Sequence, residues 1–232
     1  MSSTEPVATR NRVVIAIDGP AASGKSSTAQ WVARDLAFRH VDSGSLYRAA
    51  TFAARRALPD PSKWTPESVI AAAKGIELQP TEVSFAPFLD GEDVTAETRS
   101  IEVTRDVSQV AQMLPVRDWV NWRVREVARH HDVVVDGRDM GTAVFPNADL
   151  KVFLVADPWE RARRRLIQRL GRAPTDDEIA VETEWLVRRD AADATQTAQA
   201  RDAVVLDTTF LTQEEQVERI VSLAKAALRS LE

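Results

Sequence analysis

The stretch Val13-Val14-Ile15-Ala16-Ile17-Asp18-Gly19-Pro20-Ala21-Ala22-Ser23-Gly24-Lys25-Ser26-Ser27 decides the fold. It begins with five apolar residues, which predict a buried strand, and an apolar-periodic helix follows it. Between them stands the pattern G-x-x-x-x-G-K-[ST], which forms a phosphate-binding loop when a strand precedes it and a helix follows. Its glycines let backbone N–H groups point at a polyphosphate, and Lys25 adds a mobile positive charge. The stretch therefore predicts a nucleotide-binding protein.

The composition is that of an ordinary globular chain, with 232 residues of which 44% are hydrophobic and 28% charged. The absence of cysteine excludes disulfides and thiolate metal sites, and no apolar run reaches the roughly 20 residues of a membrane span. A net charge of −5 argues against broad nucleic-acid binding. Arginine supplies 25 of the 30 basic residues, which suits bidentate binding of phosphate. We expect a cytoplasmic monomer with neither a membrane nor a nucleic-acid partner.

Buried apolar strands alternate with amphipathic helices along the chain, which predicts an α/β fold with a parallel sheet flanked by helices. Besides the first strand, we expect strands at residues 133–136, 150–155 and 203–207. The main helices are expected at residues 24–39, 45–57, 97–113, 116–131 and 213–231. From Ile76 to Val94 the periodicity changes towards two, which predicts a small antiparallel β insert.

The strand at residues 133–136 ends in Asp136-Gly137-Arg138-Asp139. In a chain with a phosphate loop, Asp136 is a candidate for holding Mg²⁺ together with the Ser26 hydroxyl, although aspartate beside glycine is also common in plain turns. Arg138 and Asp139 follow the carboxyl end of this strand, which is where open α/β sheets bind ligands.

Four arginines share one face of a predicted helix, at positions 161, 165, 169 and 172. A charged face is usually only a solvated face, but no carboxylate stands between the first and the last of these arginines. Gly171 and Pro174 mark a bend suited to a hinge. A mobile, arginine-bearing segment above the phosphate loop would exclude water and stabilise a transferring charge.

Seven motifs follow one another along the chain: Gly19-Pro20-x-x-x-Gly24-Lys25, Asp42-Ser43-Gly44-x-x-Tyr47-Arg48, Leu89-Asp90-Gly91-Glu92-Asp93-Val94, Val107-Ser108-x-Val110-Ala111, Asp136-Gly137-Arg138-Asp139-Met140-Gly141-Thr142, Arg189-Asp190-x-x-Asp193 and Leu206-Asp207-Thr208-Thr209. In this order they resemble the bacterial cytidylate kinases, which are P-loop nucleoside monophosphate kinases, over about Val13 to Leu231. The fifth motif is the most specific, because it separates this family from adenylate and guanylate kinases.

The resemblance implies one nucleoside monophosphate kinase domain with three parts. The core P-loop sheet is expected over about residues 12–42, 132–157 and 202–232. The nucleoside-monophosphate-binding part, which carries the β insert, is expected over about residues 43–131, and a helical lid over about residues 158–201.

The resemblance also implies transfer of the γ-phosphoryl group of ATP to CMP or dCMP, with Mg²⁺ as cofactor. The expected catalytic residues are Lys25, Arg138 and Arg165. The expected donor site consists of Gly19–Ser27 and Arg161, with Ser26 and Asp136 for the metal. The acceptor would be held through its cytosine by Ser43, Ser108, Arg117 and Asp139, through its phosphate by Arg48 and Arg138, and through its ribose by Arg189 and Asp193. On local pattern alone, Arg189 and Asp193 are equally a surface ion pair.

One position departs from the family pattern. The arginine that usually follows R-D-x-x-D by three residues, as a phosphate contact, is Gln196 here. Either the phosphate contact is weaker, or Arg188 or Arg201 supplies the missing charge. We therefore expect Gln196→Arg to leave activity unchanged or to raise it. Two alternatives remain open from the sequence: a P-loop kinase for UMP or another small metabolite, and a nucleotide-binding module with decayed kinase activity.

Overall fold

The computed structural model describes residues 12–229. Within this range the chain forms eight strands: β1 (Val14–Asp18), β2 (Arg39–Asp42), β3 (Ile76–Pro80), β4 (Phe85–Leu89), β5 (Glu92–Asp93), β6 (Val133–Gly137), β7 (Leu150–Val155) and β8 (Val204–Asp207). It also forms eight α-helices: α1 (Lys25–Leu36), α2 (Ser43–Ala57), α3 (Pro66–Ala72), α4 (Ile101–Ala111), α5 (Leu114–His130), α6 (Pro158–Leu170), α7 (Asp176–Asp193) and α8 (Gln213–Arg229). The polar stretch 1–11 and the end of the predicted last helix, residues 230–231, lie outside the described range.

Five strands form the central sheet in the order β2-β6-β1-β7-β8, and every pairing is parallel. The middle strand, β1, has apolar residues on both faces, as a sheet covered on both sides requires. Ile15 and Ile17 pack on one face with α1 and α8, while Ala16 belongs to the core on the opposite face with α2 and α5. The predicted α/β class with a parallel sheet between helices is confirmed.

The remaining strands, β3, β4 and β5, form a separate antiparallel sheet, as the change of periodicity predicts. Strand β4 begins only at Phe85. The residues before it form a turn, in which the backbone N–H of Thr81 donates to the carbonyl of Ser84.

Helix boundaries differ from the pattern where backbone conformation intervenes. Helix α1 ends at Leu36, because Ala37 adopts a left-handed conformation with φ of 56°. Pro115 lies in the first turn of α5 instead of between two helices, since the missing N–H of proline costs nothing at that position. Among the described residues, no helix is long and apolar enough to cross a membrane.

Helices α6 and α7 are joined by a short bend that begins at Gly171, whose φ is 66°. Thr175 caps α7 in a reciprocal capping box with Glu178. The two helices pack on each other beside the carboxyl end of the sheet, where Ala162, Leu166, Ile179 and Leu186 form a small core with Ala21 of the phosphate loop. The division of the chain into core, binding part and lid stays a prediction.

Candidate active site

The phosphate loop connects β1 to α1, and tight packing shapes its backbone. A Cβ added to Gly19, whose φ is 152°, would lie 2.4 Å from the carbonyl oxygen of Leu154 on the neighbouring strand. Gly24 has a φ of 87° and is the N-cap of α1. These two conformations let the loop curve so that the free N–H groups at the start of α1 can face an anion.

Lys25 is buried at the start of α1, where its Nζ donates to the carbonyl oxygen of Pro20 at 2.7 Å. Burial, and next the positive charge of Arg138, lower the pKa of Lys25 to about 7, although nearby carboxylates oppose the shift. The nearby carboxylates therefore do not offset the cost of burying the charged amine. An anion bound in the loop would supply further negative charge.

Ser26 and Asp136 lie side by side, with the Ser26 hydroxyl donating to Asp136 Oδ2 at 2.6 Å. The other carboxylate oxygen of Asp136 accepts from Nε2 of the buried His40 at 2.7 Å, so the carboxylate is held at both oxygens. No cluster of three or more metal-ligating side chains occurs in residues 12–229. A hydroxyl and one carboxylate fit Mg²⁺, which takes few protein ligands and completes its shell with water and substrate phosphates.

The turn after β6 is held by Asp18, a residue that the sequence analysis did not single out. Asp18 accepts from the backbone N–H groups of Met140 at 2.8 Å and Gly141 at 2.7 Å. Burial raises the pKa of Asp18 to about 6, against these two hydrogen bonds. The carboxylate thereby fixes the turn that carries Arg138 and Asp139.

Two cavities open on the phosphate loop. The larger cleft, of about 920 Å³, contains the loop residues 22–27. The smaller cavity, of about 270 Å³, lies between α2, α4, α5 and the end of α7. They share a wall made of Ala22, Lys25, Ser26, Asp42, Arg48 and Arg165. Two ligands bound in these cavities would therefore meet at Lys25.

The smaller cavity is lined by the acceptor residues that the sequence predicts, namely Ser43, Arg48, Ser108, Arg117, Arg138, Asp139, Arg189 and Asp193. Arg138 donates to Gly19 O at 3.2 Å and to Asp193 Oδ2 at 3.3 Å. The Nε atom of Arg189 is buried without a hydrogen-bond partner. Burial, and next the charge of Arg138, lower the pKa of Arg189. This cationic group, like Lys25, lacks a full set of partners.

At the far end of the smaller cavity, Arg117 and Asp139 form a buried ion pair. The guanidinium of Arg117 lies 5.9 Å from the ring centre of Tyr47. It also donates to the carbonyl oxygen of Ala111 at 3.2 Å and to Gln196 Oε1 at 2.8 Å. The pair presents hydrogen-bond donors and acceptors next to one another in a confined space.

The arginine face of α6 is not left without carboxylates. Arg165 and Arg169 both pair with Glu182 of α7 at 3.0 Å, and Arg172 pairs with Glu178. The neutralising carboxylates belong to the next helix, α7, and not to the sequence between the arginines. The row is therefore partly an interhelical ion-pair network.

Arg161, the first arginine of this row, lines neither cavity. It is buried, and it donates to the carbonyl oxygen of Ala21 at 2.8 Å and to Asp190 at 2.6 Å. Asp190 in turn accepts from the backbone N–H of Ala21 at 3.1 Å. In this structure Arg161 thus braces the phosphate loop, and its predicted contact with the donor nucleotide stays a prediction. Asp190 was not singled out, although it stands inside the quoted R-D-x-x-D motif.

The family model for cytidylate kinase matches residues 15–226. The chain belongs to the cytidylate kinase family. A cytidylate kinase of Pelodictyon phaeoclathratiforme is 41% identical over 226 residues, which cover 94% of this chain and 96% of that one. A cytidylate kinase of Geobacillus sp. is 41% identical, with 92% and 97% covered, and one of Listeria monocytogenes is 39% identical, with 94% and 99% covered. The predicted membership of the cytidylate kinases is confirmed.

The comparison with solved structures gives kinases of low sequence identity and low structural similarity. A shikimate kinase from Bacteroides thetaiotaomicron has a TM-score of 0.47 at 16% identity, covering 92% of this chain and 98% of that one. A gluconokinase from Sinorhizobium meliloti has a TM-score of 0.47 at 15% identity, covering 96% and 97%. A likeness at this level says nothing about the reaction of a cytidylate kinase family member.

Proposed function

We propose that this chain transfers the γ-phosphoryl group of ATP to CMP or dCMP, which yields ADP and CDP or dCDP. The observation that carries the proposal is the wall shared by the two cavities, with Lys25, Arg48 and Arg165 facing both. A donor and an acceptor phosphate that meet at this wall would be surrounded by positive charge. Membership of the cytidylate kinase family supports the same reaction.

In this proposal the larger cleft takes the donor. The backbone of Gly19–Ser27 surrounds the β- and γ-phosphates, and Lys25 exchanges its contact with Pro20 for phosphate oxygens. Ser26 and Asp136 would hold Mg²⁺, which neutralises charge on the phosphates when bound. Because Asp136 is held by His40, its carboxylate is already oriented towards Ser26.

The smaller cavity takes the acceptor nucleotide. Arg48 of the shared wall and Arg138 would bind the phosphate of CMP, while Arg189 and Asp193 would bind its ribose. The Nε of Arg189 supports this placement, because Asp193 Oδ2 lies 3.8 Å away, too far for a hydrogen bond, and a buried donor without a hydrogen-bond partner favours a ligand that accepts one.

The base would lie against Arg117, Asp139, Ser43 and Ser108. Cytosine offers an acceptor at N3 beside a donor amine at N4, whereas uracil offers a donor N–H beside a carbonyl oxygen. Arg117 only donates and the ionised Asp139 only accepts, so the pair matches cytosine and opposes uracil at both positions. This geometry favours CMP over UMP as the acceptor.

The chemistry needs no general base, because the acceptor phosphate is already anionic near neutral pH. An oxygen of the CMP phosphate forms a bond to the γ-phosphorus while the bond from that phosphorus to the β–γ bridging oxygen breaks, and ADP leaves. Lys25, Arg138 and Arg165 stabilise the charge that develops during transfer, and positioning supplies the rest of the acceleration.

A coupled assay that measures ADP release from ATP with CMP, dCMP, UMP or AMP tests the proposal. We expect CMP and dCMP to exceed UMP and AMP by about tenfold or more in kcat/KM. A preference for UMP would favour another P-loop small-molecule kinase. ATP binding without CMP-dependent ADP release would instead favour a module with decayed activity. The expected cytoplasmic location and monomeric state stay predictions.

A further inference from the structure

Gln196 accepts a hydrogen bond from Arg117, a residue that is distant in the sequence. It stands in the turn after α7, where its backbone N–H and that of Thr197 both donate to the carbonyl oxygen of Asp193 at 2.9 Å. Its side chain reaches Arg117 of α5, 79 positions earlier in the chain, through the 2.8 Å hydrogen bond described above. The half-buried Gln196 therefore lies at the base end of the smaller cavity.

The partner settles which end of the Gln196 amide is used. Arginine has only donors, so the group that meets Arg117 is the carbonyl oxygen of the side chain. Three acceptors hold the guanidinium: Gln196 and Ala111 O at Nη1, and Asp139 at Nη2. Since a guanidinium is planar and rigid, acceptors on both terminal nitrogens fix the direction in which its remaining N–H groups point.

We propose that Gln196 is a positioning residue for base recognition, which holds Arg117 in the orientation that presents a donor beside the acceptor oxygen of Asp139. This inference rests on the proposed function, in which Arg117 and Asp139 meet cytosine. Gln196 connects the Arg117–Asp139 pair to the turn that follows Asp193. The proposed base contacts are thereby fixed relative to the proposed ribose contacts. It acts through Arg117 and is not itself a catalytic residue.

The proposal opposes the expectation from the family pattern, in which this position contacts the acceptor phosphate. A phosphate contact would affect CMP and UMP equally, because both carry the same phosphate. A contact that orients Arg117 affects the choice between the two bases. The ratio of kcat/KM for CMP to that for UMP therefore separates the two roles.

The test compares full-length variants in the ATP-coupled assay. Gln196→Met keeps the length of the side chain but removes the acceptor, and we expect the CMP/UMP ratio to fall about five- to tenfold while kcat at saturating CMP stays within about twofold. Gln196→Glu keeps an acceptor and should retain the ratio within about threefold. Gln196→Arg places a second guanidinium against Arg117, so the ratio should fall by about tenfold or more. Where UMP turnover is too slow to measure, its inhibition constant against CMP gives the same comparison.

Gln199→Met is the matched control, because Gln199 is exposed on the same segment and lines neither cavity. We expect its ratio to equal that of the wild type, and thermal unfolding of all variants checks that they fold. Equal changes for CMP and UMP in Gln196→Met, or a rise for both in Gln196→Arg, would overturn the proposal. If the wild type itself failed to phosphorylate CMP, the proposed function would fall; a functional wild type with an unchanged ratio in Gln196→Met overturns the positioning role alone.

Discussion

The larger cleft and the smaller cavity share a wall, but they are built in different ways. The part of the larger cleft that is predicted to bind phosphate is one continuous stretch, residues 22–27 of the phosphate loop, whose binding groups would include backbone N–H groups. The smaller cavity is lined by side chains from α2, α4, α5, the turn after β6 and the end of α7. The first site is formed by a short stretch of sequence, whereas the second forms only when several helices pack together.

This difference determines how each site tolerates change. A site made of backbone groups depends on local conformation, which the glycines and the start of the helix impose. Most side-chain substitutions should therefore leave it intact. A side-chain site depends on many distant residues, so each substitution should remove one part of recognition and leave the others. Substitutions in each site and on their shared wall test this contrast.

Lys25 stands on the shared wall, so its loss should affect both sites and produce the largest effect. We expect Lys25→Ala to lower kcat by on the order of 10³-fold or more, because a positive charge is lost from the wall at which the two phosphates would meet. Lys74→Ala, at an exposed position in the turn after α3, is the control and should leave kcat unchanged. Steady-state assays with ATP and CMP measure both, and a near-normal rate in Lys25→Ala would contradict the placement of the transfer site.

Asp139→Asn should damage the smaller cavity alone. The amide oxygen would face Arg117, so its NH₂ group would replace an acceptor at the base edge by a donor. We expect kcat/KM for CMP to fall by about 100-fold, with UMP losing less, while the KM for ATP stays within about twofold. A comparable rise in the KM for ATP would show that the two sites are not separable.

The titration of Lys25 offers a test of the larger cleft without changing its shape. The pKa of Lys25 is about 7 in the unliganded protein against 10.5 as its ordinary value, so the amine is mostly neutral at pH 8. Bound polyphosphate supplies negative charge and raises this pKa, so ATP binding should take up a proton, at most about 0.9 per site at pH 8. The affinity for ATP should accordingly rise as the pH falls from about 10 towards 7.

Calorimetry of ATP binding in buffers with different ionisation enthalpies measures this uptake. Lys25→Ala should abolish it, and the uptake of the wild type should approach zero well below pH 7. Equal uptake in the two proteins would assign the proton to another group.

The smallest expected effect concerns the link between the two helices of the predicted lid. The ring of Trp185 lies under the guanidinium groups of Arg165 at 4.9 Å and Arg189 at 5.3 Å. Trp185→Leu removes the cation–π contacts that hold the two arginines side by side, so kcat/KM for CMP should fall about three- to tenfold. Trp185→Phe keeps an aromatic ring and should retain part of this activity.

Trp159→Leu is the control for this substitution. Trp159 is 38% exposed against 42% for Trp185, so both variants lose a similarly exposed ring. Equal activity losses in the two variants would show that the stacking on Trp185 does not position the arginines.

Much of the fold was predictable because its signals are local. The apolar runs predict β1, β6 and β7, and the change of periodicity from Ile76 predicts the antiparallel sheet. The structure contains all of these strands. The errors were also local. Helix α1 ends early because Ala37 adopts a left-handed conformation, which is usually adopted by glycine, and α5 begins before Pro115 because its first turn accommodates proline. Helix boundaries depend on the backbone dihedral angles of single residues, whereas a periodic sequence pattern extends over many residues.

By itself, the sequence determined the phosphate loop, the α/β class and the family, because these rest on contiguous residues or on motifs in a fixed order. Only the tertiary structure decided the partners of the charged side chains: Glu182 for the arginine face of α6, Asp190 for Arg161, and Gln196 for Arg117. These partners lie far apart in the chain or on a neighbouring helix, so their pairing depends on how the elements pack. Backbone conformation is specified over a few residues, whereas an ion pair or a side-chain hydrogen bond depends on the positions in space of both partners.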